Sequence, residues 1–104
     1  MSRKYQTALP RKWHGLAAVF SALGDEQRQR ILLMFERGEE LTIKDVFEAC
    51  PLSRTAVAHH VRVLREAGVL VAEKRGREVF LHPAPQVVLE ALASLRDYIE
   101  EELQ

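Results

Sequence analysis

At 104 residues, with 47% hydrophobic and 29% charged positions, the chain is long enough for one compact domain, too short for two, and too apolar to be disordered. No apolar run approaches the roughly 18 residues that span a bilayer, and residues 1–5 lack the apolar stretch of a signal peptide, so we expect a cytoplasmic protein with no membrane partner. The single cysteine, Cys50, excludes an intramolecular disulfide and every Cys-x-x-Cys metal or redox motif.

The charges are unevenly distributed although the formal net charge is zero. Residues 1–12 hold four bases and no acid, and residues 53–82 hold six bases and three acids. We expect residues 1–8 to form a flexible basic arm. A local excess of bases is most simply a solvated face, so only the pattern of structural elements can argue for a nucleic-acid partner.

Residues 9–23 predict the first helix. Its apolar positions recur at steps of four and three, which is the spacing of one helical stripe that faces a partner surface. Gly24 interrupts the pattern, and Asp25 supplies the N-cap of a second helix over Glu26–Glu36. Residues 31–35 are apolar nearly all round, which predicts a helix buried on several sides at the centre of the core. The first stripe consists of Leu9, Trp13, Leu16, Phe20 and Leu23.

Residues 42–67 predict two short helices joined by a tight turn. Thr42 and Asp45 have the spacing of a capping box, which starts a third helix that Pro51 ends. Ser53 caps the fourth helix. The predicted inward positions are Ile43, Val46, Phe47 and Cys50 on the third helix and Val57, Val61 and Leu64 on the fourth. A basic outer face on the second of two such helices is typical of a helix-turn-helix, whose second helix enters the major groove.

The outer face of the fourth helix carries the predicted base contacts. Arg54 is the best candidate for a bidentate bond to guanine, Thr55 is able to bond a base edge or phosphate, and Ala58 leaves room for a thymine methyl. Taken singly, Thr55 and Ala58 are more simply solvent-facing residues, but together on one face the set favours DNA. The predicted contacts on this helix are Ser53, Arg54, Thr55, Ala58, His59 and Arg62.

After the fourth helix the pattern becomes strand-like. Residues 69–73 and 78–82 predict the strands of a β-hairpin, a wing over residues 69–82, and Gly76 supplies the positive φ of a tight turn. Three cations at the tip would reach phosphates or the minor groove, and the weaker alternative is a charged tip that protects a sheet edge. These cations are Lys74, Arg75 and Arg77.

The last predicted helix covers Ala84–Leu103. Its apolar residues Val88, Leu92, Leu95 and Ile99 repeat at steps of four, three and four, so this stripe also faces something apolar. A chain of this length has little core left to bury both this stripe and that of the first helix.

Two segments carry a distinctive pattern. The first is Phe-Ser-Ala-Leu-Gly-Asp at residues 20–25, and the second is His-His-x-x-x-Leu-Arg-x-Ala-Gly at residues 59–68, followed by Arg-Gly-Arg in the wing. With these segments the chain resembles the ArsR/SmtB family of winged-helix repressors, and the match covers about residues 16–82. It implies one winged helix-turn-helix domain, mainly α with a small β-hairpin in the order α-α-α-α-β-β-α, that represses transcription from a palindromic operator.

The resemblance also implies a homodimer built from the first and last helices. The two apolar stripes suit that role, because each needs a surface to face. The expected interface residues are Leu9, Trp13, Leu16, Phe20, Val88, Leu92, Leu95 and Ile99.

The chain departs from the family's metal-sensing patterns. Thiol-sensing members carry a Cys-x-Cys type segment at the start of the third helix, whereas residues 40–46 hold no cysteine. Zinc-sensing members pair Asp and His ligands from their last helices, whereas residues 84–103 hold carboxylates but no histidine. Carboxylates alone are a poor transition-metal site. We therefore expect no metal and no cofactor.

The sequence leaves the effector open. If there is one, it is a small molecule, a redox signal or a protein. For Cys50, the role of a redox sensor is a weaker alternative than that of a small buried hydrophobe.

Two rival functions also stay open. A metal-responsive repressor with non-thiolate ligands is one rival function. A winged-helix protein-interaction module is another, favoured by the zero net charge and opposed by the basic block. An enzyme is not expected, because no motif places a nucleophile beside a base and no Gly-rich phosphate loop is present.

Overall fold

The computed structural model describes residues 3–104. A 3₁₀ turn at Arg11–Trp13 leads into α1 (His14–Leu23), α2 (Glu26–Leu32), β1 (Leu41–Thr42), α3 (Ile43–Ala49), α4 (Arg54–Glu66), β2 (Leu70–Arg75), β3 (Glu78–Pro83) and α5 (Pro85–Tyr98), which continues as a π-helical segment, Ile99–Leu103. Five helices and an antiparallel hairpin confirm the predicted winged helix-turn-helix fold. The first two residues of the predicted basic arm lie outside the described residues, and residues 3–8 are exposed and form no helix or strand.

The sheet has three antiparallel strands in the order β1-β3-β2. Arg75 lies opposite Glu78, so the hairpin turn is the pair Gly76 and Arg77, and Gly76 has the predicted positive φ of 61°. A glycine at the first of two turn residues suits the twist of a tight hairpin. The sequence pattern missed β1, because two residues have no alternation of their own and become a strand only by pairing with β3.

The hydrophobic core lies beneath α4 and the hairpin. α4 contributes Val57, Val61 and Leu64, whereas α5 contributes only Ala91. The other fully buried residues are Val19, Ala22, Ile31, Val46, Val69, Leu70 and Leu81. The last helix therefore adds one fully buried small side chain to the core, with Val87 and Val88 packed against it, and leaves Leu92 and Ile99 of its apolar stripe exposed.

The prediction for α2 was wrong at its C-terminal end. The helix begins at the predicted cap, where Asp25 Oδ1 accepts the amides of Gln27 at 2.9 Å and Arg28 at 3.1 Å, but it ends at Leu32 instead of Glu36. The amides of residues 34 and 35 bond carbonyls three residues back, which tightens and ends the helix. Leu33 is consequently 83% exposed, so residues 31–35 are not buried on several sides.

The outer ends of the first and last helices also differ from the prediction. Leu9 lies before the 3₁₀ turn and is 49% exposed, so the helical stripe begins only with Trp13. Pro10 precedes that turn and has no amide hydrogen, which favours a helix start after it. At the other end, α5 begins with Pro85 and its last five residues widen into the π-helical segment. Within residues 3–104, none of the helices is both long and apolar enough to cross a bilayer.

Candidate nucleic-acid interface

Three capping contacts hold α3 and α4 in place. The predicted capping box is present, with the Asp45 amide bonded to Thr42 Oγ1 at 3.1 Å and the Thr42 amide bonded to Asp45 Oδ2 at 2.9 Å. Ser53 Oγ accepts the Ala56 amide at 3.1 Å and starts α4. At its other end, Gly68 has a φ of 80°, and its amide bonds the Arg65 carbonyl at 2.9 Å. Both ends of α4 are thus fixed by local hydrogen bonds.

The two sides of α4 differ sharply. Val57, Val61 and Leu64 are no more than 2% exposed. On the opposite side, the predicted contacts occur at helical spacing and share one face, because residues three and four apart are neighbours on a helix. All six are exposed: Ser53, Arg54, Thr55, Ala58, His59 and Arg62. Arg65, which the sequence analysis did not select, is exposed at three residues beyond Arg62 and extends this face towards the end of α4.

The cations of this face are oriented without being neutralised. The Arg54 guanidinium stands 5.2 Å from the ring centre of Phe47 on α3, and Arg62 Nη2 lies 3.4 Å from His59 Nδ1. Among residues 3–104, the ion pairs within 4.0 Å do not include Arg54 or Arg62. An aromatic ring attracts a guanidinium but leaves its N–H edge available to an acceptor. Both guanidinium groups therefore have N–H donors available to an outside anion.

A buried-side contact ties α4 to the corner between α1 and α2. Arg28 Nε donates to the Ala22 carbonyl at 2.7 Å and Nη2 donates to the Ser21 carbonyl at 3.2 Å, while Nη1 lies 3.2 Å from His60 Nδ1. The Arg28 side chain is only 13% exposed. His60 thus contacts the corner between α1 and α2 and anchors α4 there. Sequence reasoning missed this contact because its partners lie 32 residues apart.

The carboxylate of Asp25 belongs to the same corner. Its pKa is lowered, first because it accepts the backbone amide of Arg28, and also because the Arg28 guanidinium lies 3.9 Å away. The carboxylate is thus held in its ionised form, which is the form that caps α2.

Three cations were predicted at the tip of the wing, but the structure places only one of them in the turn. The turn holds only Arg77, because the pairing of Arg75 with Glu78 leaves two residues in the turn and places Lys74 and Arg75 in β2. Lys74 and Arg77 are exposed and, within residues 3–104, take part in none of the ion pairs.

Arg75 is instead engaged by two acids and an aromatic ring. Its Nη2 lies 2.8 Å from Glu40 Oε2 and 3.0 Å from Glu73 Oε2, and its Cζ stands 4.6 Å from the ring centre of Phe80. The hydrogen bond from Arg75 lowers the pKa of Glu73, and the same bond raises the pKa of Arg75. Both pKa shifts are in the direction expected when two opposite charges attract each other.

The predicted interface residues divide into two groups. Leu9, Leu92 and Ile99 are 49%, 47% and 37% exposed. The other five, Trp13, Leu16, Phe20, Val88 and Leu95, are half-buried within the chain itself. The sequence analysis missed Leu89 and Leu103, which are 56% and 65% exposed and extend the apolar row along α5 and its π-helical segment.

The half-buried group shows that α1 and α5 pack on each other inside one chain. The rings of Trp13 and Tyr98 meet edge to face, with centroids 4.9 Å apart and planes at 76°. Phe20 and Val88 pack against the buried core. The stripe of the first helix is thus used partly within the chain, and half of the large exposed apolar residues described lie on α5 and its π-helical segment: Leu89, Leu92, Ile99 and Leu103.

Cys50 lies at the C-cap of α3 and is half-buried. Burial raises the pKa of its thiol, so the protonated form is favoured, and the protonated form is the less reactive one. For metals, no three His, Cys, Asp or Glu side chains gather within residues 3–104 in an arrangement that holds an ion.

The comparisons with known proteins agree with this architecture. A family described as "Helix-turn-helix domain" matches residues 23–72. The "Arsenic resistance transcriptional regulator ArsR1" of Pseudomonas putida is 36% identical over 86 residues, which are 80% of this chain and 67% of that protein. This chain spans 64% and 66% of the length of two further regulators that it matches.

Two solved structures have the same fold. The "ArsR-like Transcriptional Regulator from Rhodococcus sp. RHA1" superposes with a TM-score of 0.77 at 29% identity, over 86% of this chain and 84% of that one. The "homodimeric winged helix-turn-helix DNA-binding domain" of a possible ArsR-family regulator from Mycobacterium bovis superposes with a TM-score of 0.67 at 20% identity, over 96% of this chain and 94% of that one.

Proposed function

Because the chain belongs to the ArsR/SmtB family of winged-helix transcriptional regulators, we propose that it is a repressor that binds double-stranded DNA in a sequence-specific way as a homodimer. The observation that carries the proposal is the outer face of α4. This face holds arginines without a carboxylate partner within residues 3–104, while the opposite face is fixed in the core. Such a helix offers a polyanion fixed geometry and available charge.

The residues of α4 take different roles in this proposal. Arg54 reads a guanine through two hydrogen bonds, and Ala58 lies against a thymine methyl. Ser53 keeps its oxygen lone pair for the helix cap and is still able to donate its O–H to a phosphate. Thr55 and His59 contact base edges or phosphates, and Arg62 contacts the backbone. Sequence preference thus comes from the first two turns of α4.

The wing supplies affinity more than preference. Lys74 and Arg77 are exposed on a protruding hairpin and lie outside the ion pairs of residues 3–104, so they are placed to neutralise phosphates or enter the narrow minor groove. Contacts of this kind are insensitive to base identity and sensitive to salt.

The homodimer is proposed from the apolar row on α5. Leu89, Leu92 and Leu103 are 47–65% exposed, and a monomeric protein rarely leaves such a row in water. The homodimeric neighbour has the same fold, which supports the possibility of this assembly. A two-fold axis between two α5 helices would set two α4 helices on one duplex, so the operator is proposed to be palindromic, with half-sites about 34 Å apart.

The test is a fluorescence-anisotropy titration of the purified protein against the duplex upstream of its own coding sequence and against a scrambled duplex of equal length. The titration is repeated from about 50 to 200 mM salt, where each neutralised phosphate steepens the salt dependence. We expect tight, salt-sensitive binding to the natural duplex and binding at least about 1,000-fold weaker to the scrambled one. Equal, weak binding to both would reject the repressor and favour a winged-helix protein-interaction module.

Equilibrium dialysis against zinc, nickel and copper separates a metal-responsive repressor from the function proposed here. Relatives are named for arsenic resistance, whereas residues 3–104 of one chain show no cluster of three His, Cys, Asp or Glu donors. Stoichiometric binding of any of these ions by the dimer would establish the metal-responsive alternative, with ligands drawn from both protomers.

A further inference from the structure

Arg75 has more polar and aromatic partners than the other cations of the wing. One guanidinium nitrogen is shared between Glu40 and Glu73, at 2.8 Å and 3.0 Å, and the guanidinium carbon stands 4.6 Å from the Phe80 ring centre. An incoming phosphate would have to compete with two carboxylates for this group. Arg77, one residue beyond the glycine of the turn, has no such competition within residues 3–104.

The partners of Arg75 belong to different parts of the fold. Glu73 and Phe80 lie opposite each other in the hairpin, whereas Glu40 directly precedes β1. β1 ends at Thr42, which pairs with Phe80 and is also the N-cap of α3. The contact between Arg75 and Glu40 therefore joins the wing to the chain segment from which the helix-turn-helix starts.

We propose that Arg75 is a positioning residue, which fixes the wing relative to the helix-turn-helix, and that it does not contact DNA itself. The inference rests on the proposed DNA-binding function. In the bound state Arg75 keeps its bonds to Glu40 and Glu73, and the wing presents Lys74 and Arg77 to the duplex. Besides these bonds, the hairpin is held to α3 by the two residue pairs of β1 with β3 and by the core that Leu81 of β3 shares with Val46 of α3.

Glu40→Gln is the decisive variant, because a DNA-contacting Arg75 and a positioning Arg75 predict opposite changes in DNA affinity. Removing an acid normally strengthens binding to a polyanion, and it would also free Arg75 for a phosphate if Arg75 were a contact. As a positioning residue, Arg75 loses its anchor, and DNA binding weakens. The ion pair is partly exposed, so we expect a loss of about two- to fivefold. Glu48→Gln, which removes an exposed acid of α3 paired with Lys44 at 4.0 Å, is the matched control and should not weaken binding.

The salt dependence of Arg75→Gln sharpens the test. If Arg75 neutralised a phosphate, the slope of log affinity against log salt would be smaller by about 0.9 in Arg75→Gln than in Glu40→Gln. If both substitutions only release the wing, the two salt slopes are equal. The double variant Arg75→Gln with Glu40→Gln then binds DNA no more weakly than either single variant.

A measurement without DNA keeps the inference separate from the proposed function. Backbone ¹⁵N relaxation of the free protein should show lower order at Gly76 and Arg77 in Glu40→Gln than in the wild type, with the amides of α4 unchanged. Unchanged order in the wing together with tighter DNA binding by Glu40→Gln would overturn the positioning role. If the wing loosens as expected but neither wild type nor variant binds DNA, the fixing of the wing stands and the repressor function fails.

Discussion

α4 and α5 are both amphipathic helices of similar length, yet the side that the rest of the chain leaves uncovered is cationic on α4 and apolar on α5. α4 buries its whole apolar stripe in the core of its own chain and exposes arginines. α5 buries only Ala91 and exposes leucines. Periodicity is therefore the same signal in both helices, while the chemistry of the uncovered side differs. A cationic side suits a polyanion, and a leucine side suits a second copy of the chain.

The largest effect on stability is expected from a substitution on the side of α4 that packs in the core. Leu64 is fully buried, and Leu64→Ala should lower the free energy of unfolding by about 2–5 kcal/mol because it leaves a cavity in a packed core. Chemical denaturation monitored by circular dichroism measures the change. Leu33→Ala, at a position 83% exposed, is the control and should stay within about 0.5 kcal/mol of the wild type. Equal costs at the two positions would mean that α4 is not the core helix.

Leu92→Glu places a charge on the exposed apolar side of α5. A charge at this position should prevent association while leaving the fold intact, and the monomer should bind the operator on the order of 100-fold more weakly because it engages one half-site. Sedimentation velocity and DNA titration are the measurements. Gln86→Glu places the same charge at an exposed residue at the start of α5 and should leave the dimer intact. A dimer that survives Leu92→Glu would move the interface elsewhere.

The uncovered side of α4 is tested by Arg54→Ala. Loss of a bidentate base contact should cost about 1–3 kcal/mol on the preferred duplex and little on the scrambled one, so the preference between them narrows. Arg77→Ala, in the wing, should weaken binding to both duplexes equally and reduce the salt slope by about 0.9. If the two variants behave alike, α4 does not read bases.

The smallest effect concerns the local support of α4. Ser53→Ala removes the oxygen that accepts the Ala56 amide and should lower the free energy of unfolding by about 1 kcal/mol. Thermal denaturation measures it, and Ser53→Asp should restore most of the loss because a carboxylate also caps a helix start. A Ser53→Ala protein with unchanged stability would show that the cap is dispensable.

Features carried by local chemistry could be predicted from the sequence. The caps at Asp25, Thr42 and Ser53 and the turn at Gly76 each depend on residues within a few positions, and the structure confirms all four. The family resemblance supplied the chain order of the helices around the wing. The exposed set on α4 followed from helical spacing alone.

Features that depend on distant partners could not be predicted. The early end of α2 accompanies hydrogen bonds to carbonyls three residues back that apolar periodicity does not predict, and β1 is defined by its pairing with β3. The three predicted tip cations proved unequal, since Glu40 lies 35 positions before Arg75 in the sequence yet 2.8 Å from it in space. Similarly, the contact between Arg28 and His60 becomes visible only when α1, α2 and α4 are assembled.

In the proposed complex, two copies of α4, joined through α5, read one duplex. Hydroxyl-radical footprinting of the tightest-binding duplex, combined with the mass of the complex by sedimentation equilibrium, measures both the contacts and the number of chains. We expect two protected patches on one face of the DNA, about 34 Å apart, and a complex that carries two chains of 11.9 kDa each. A single protected patch in a complex that carries one chain would contradict it.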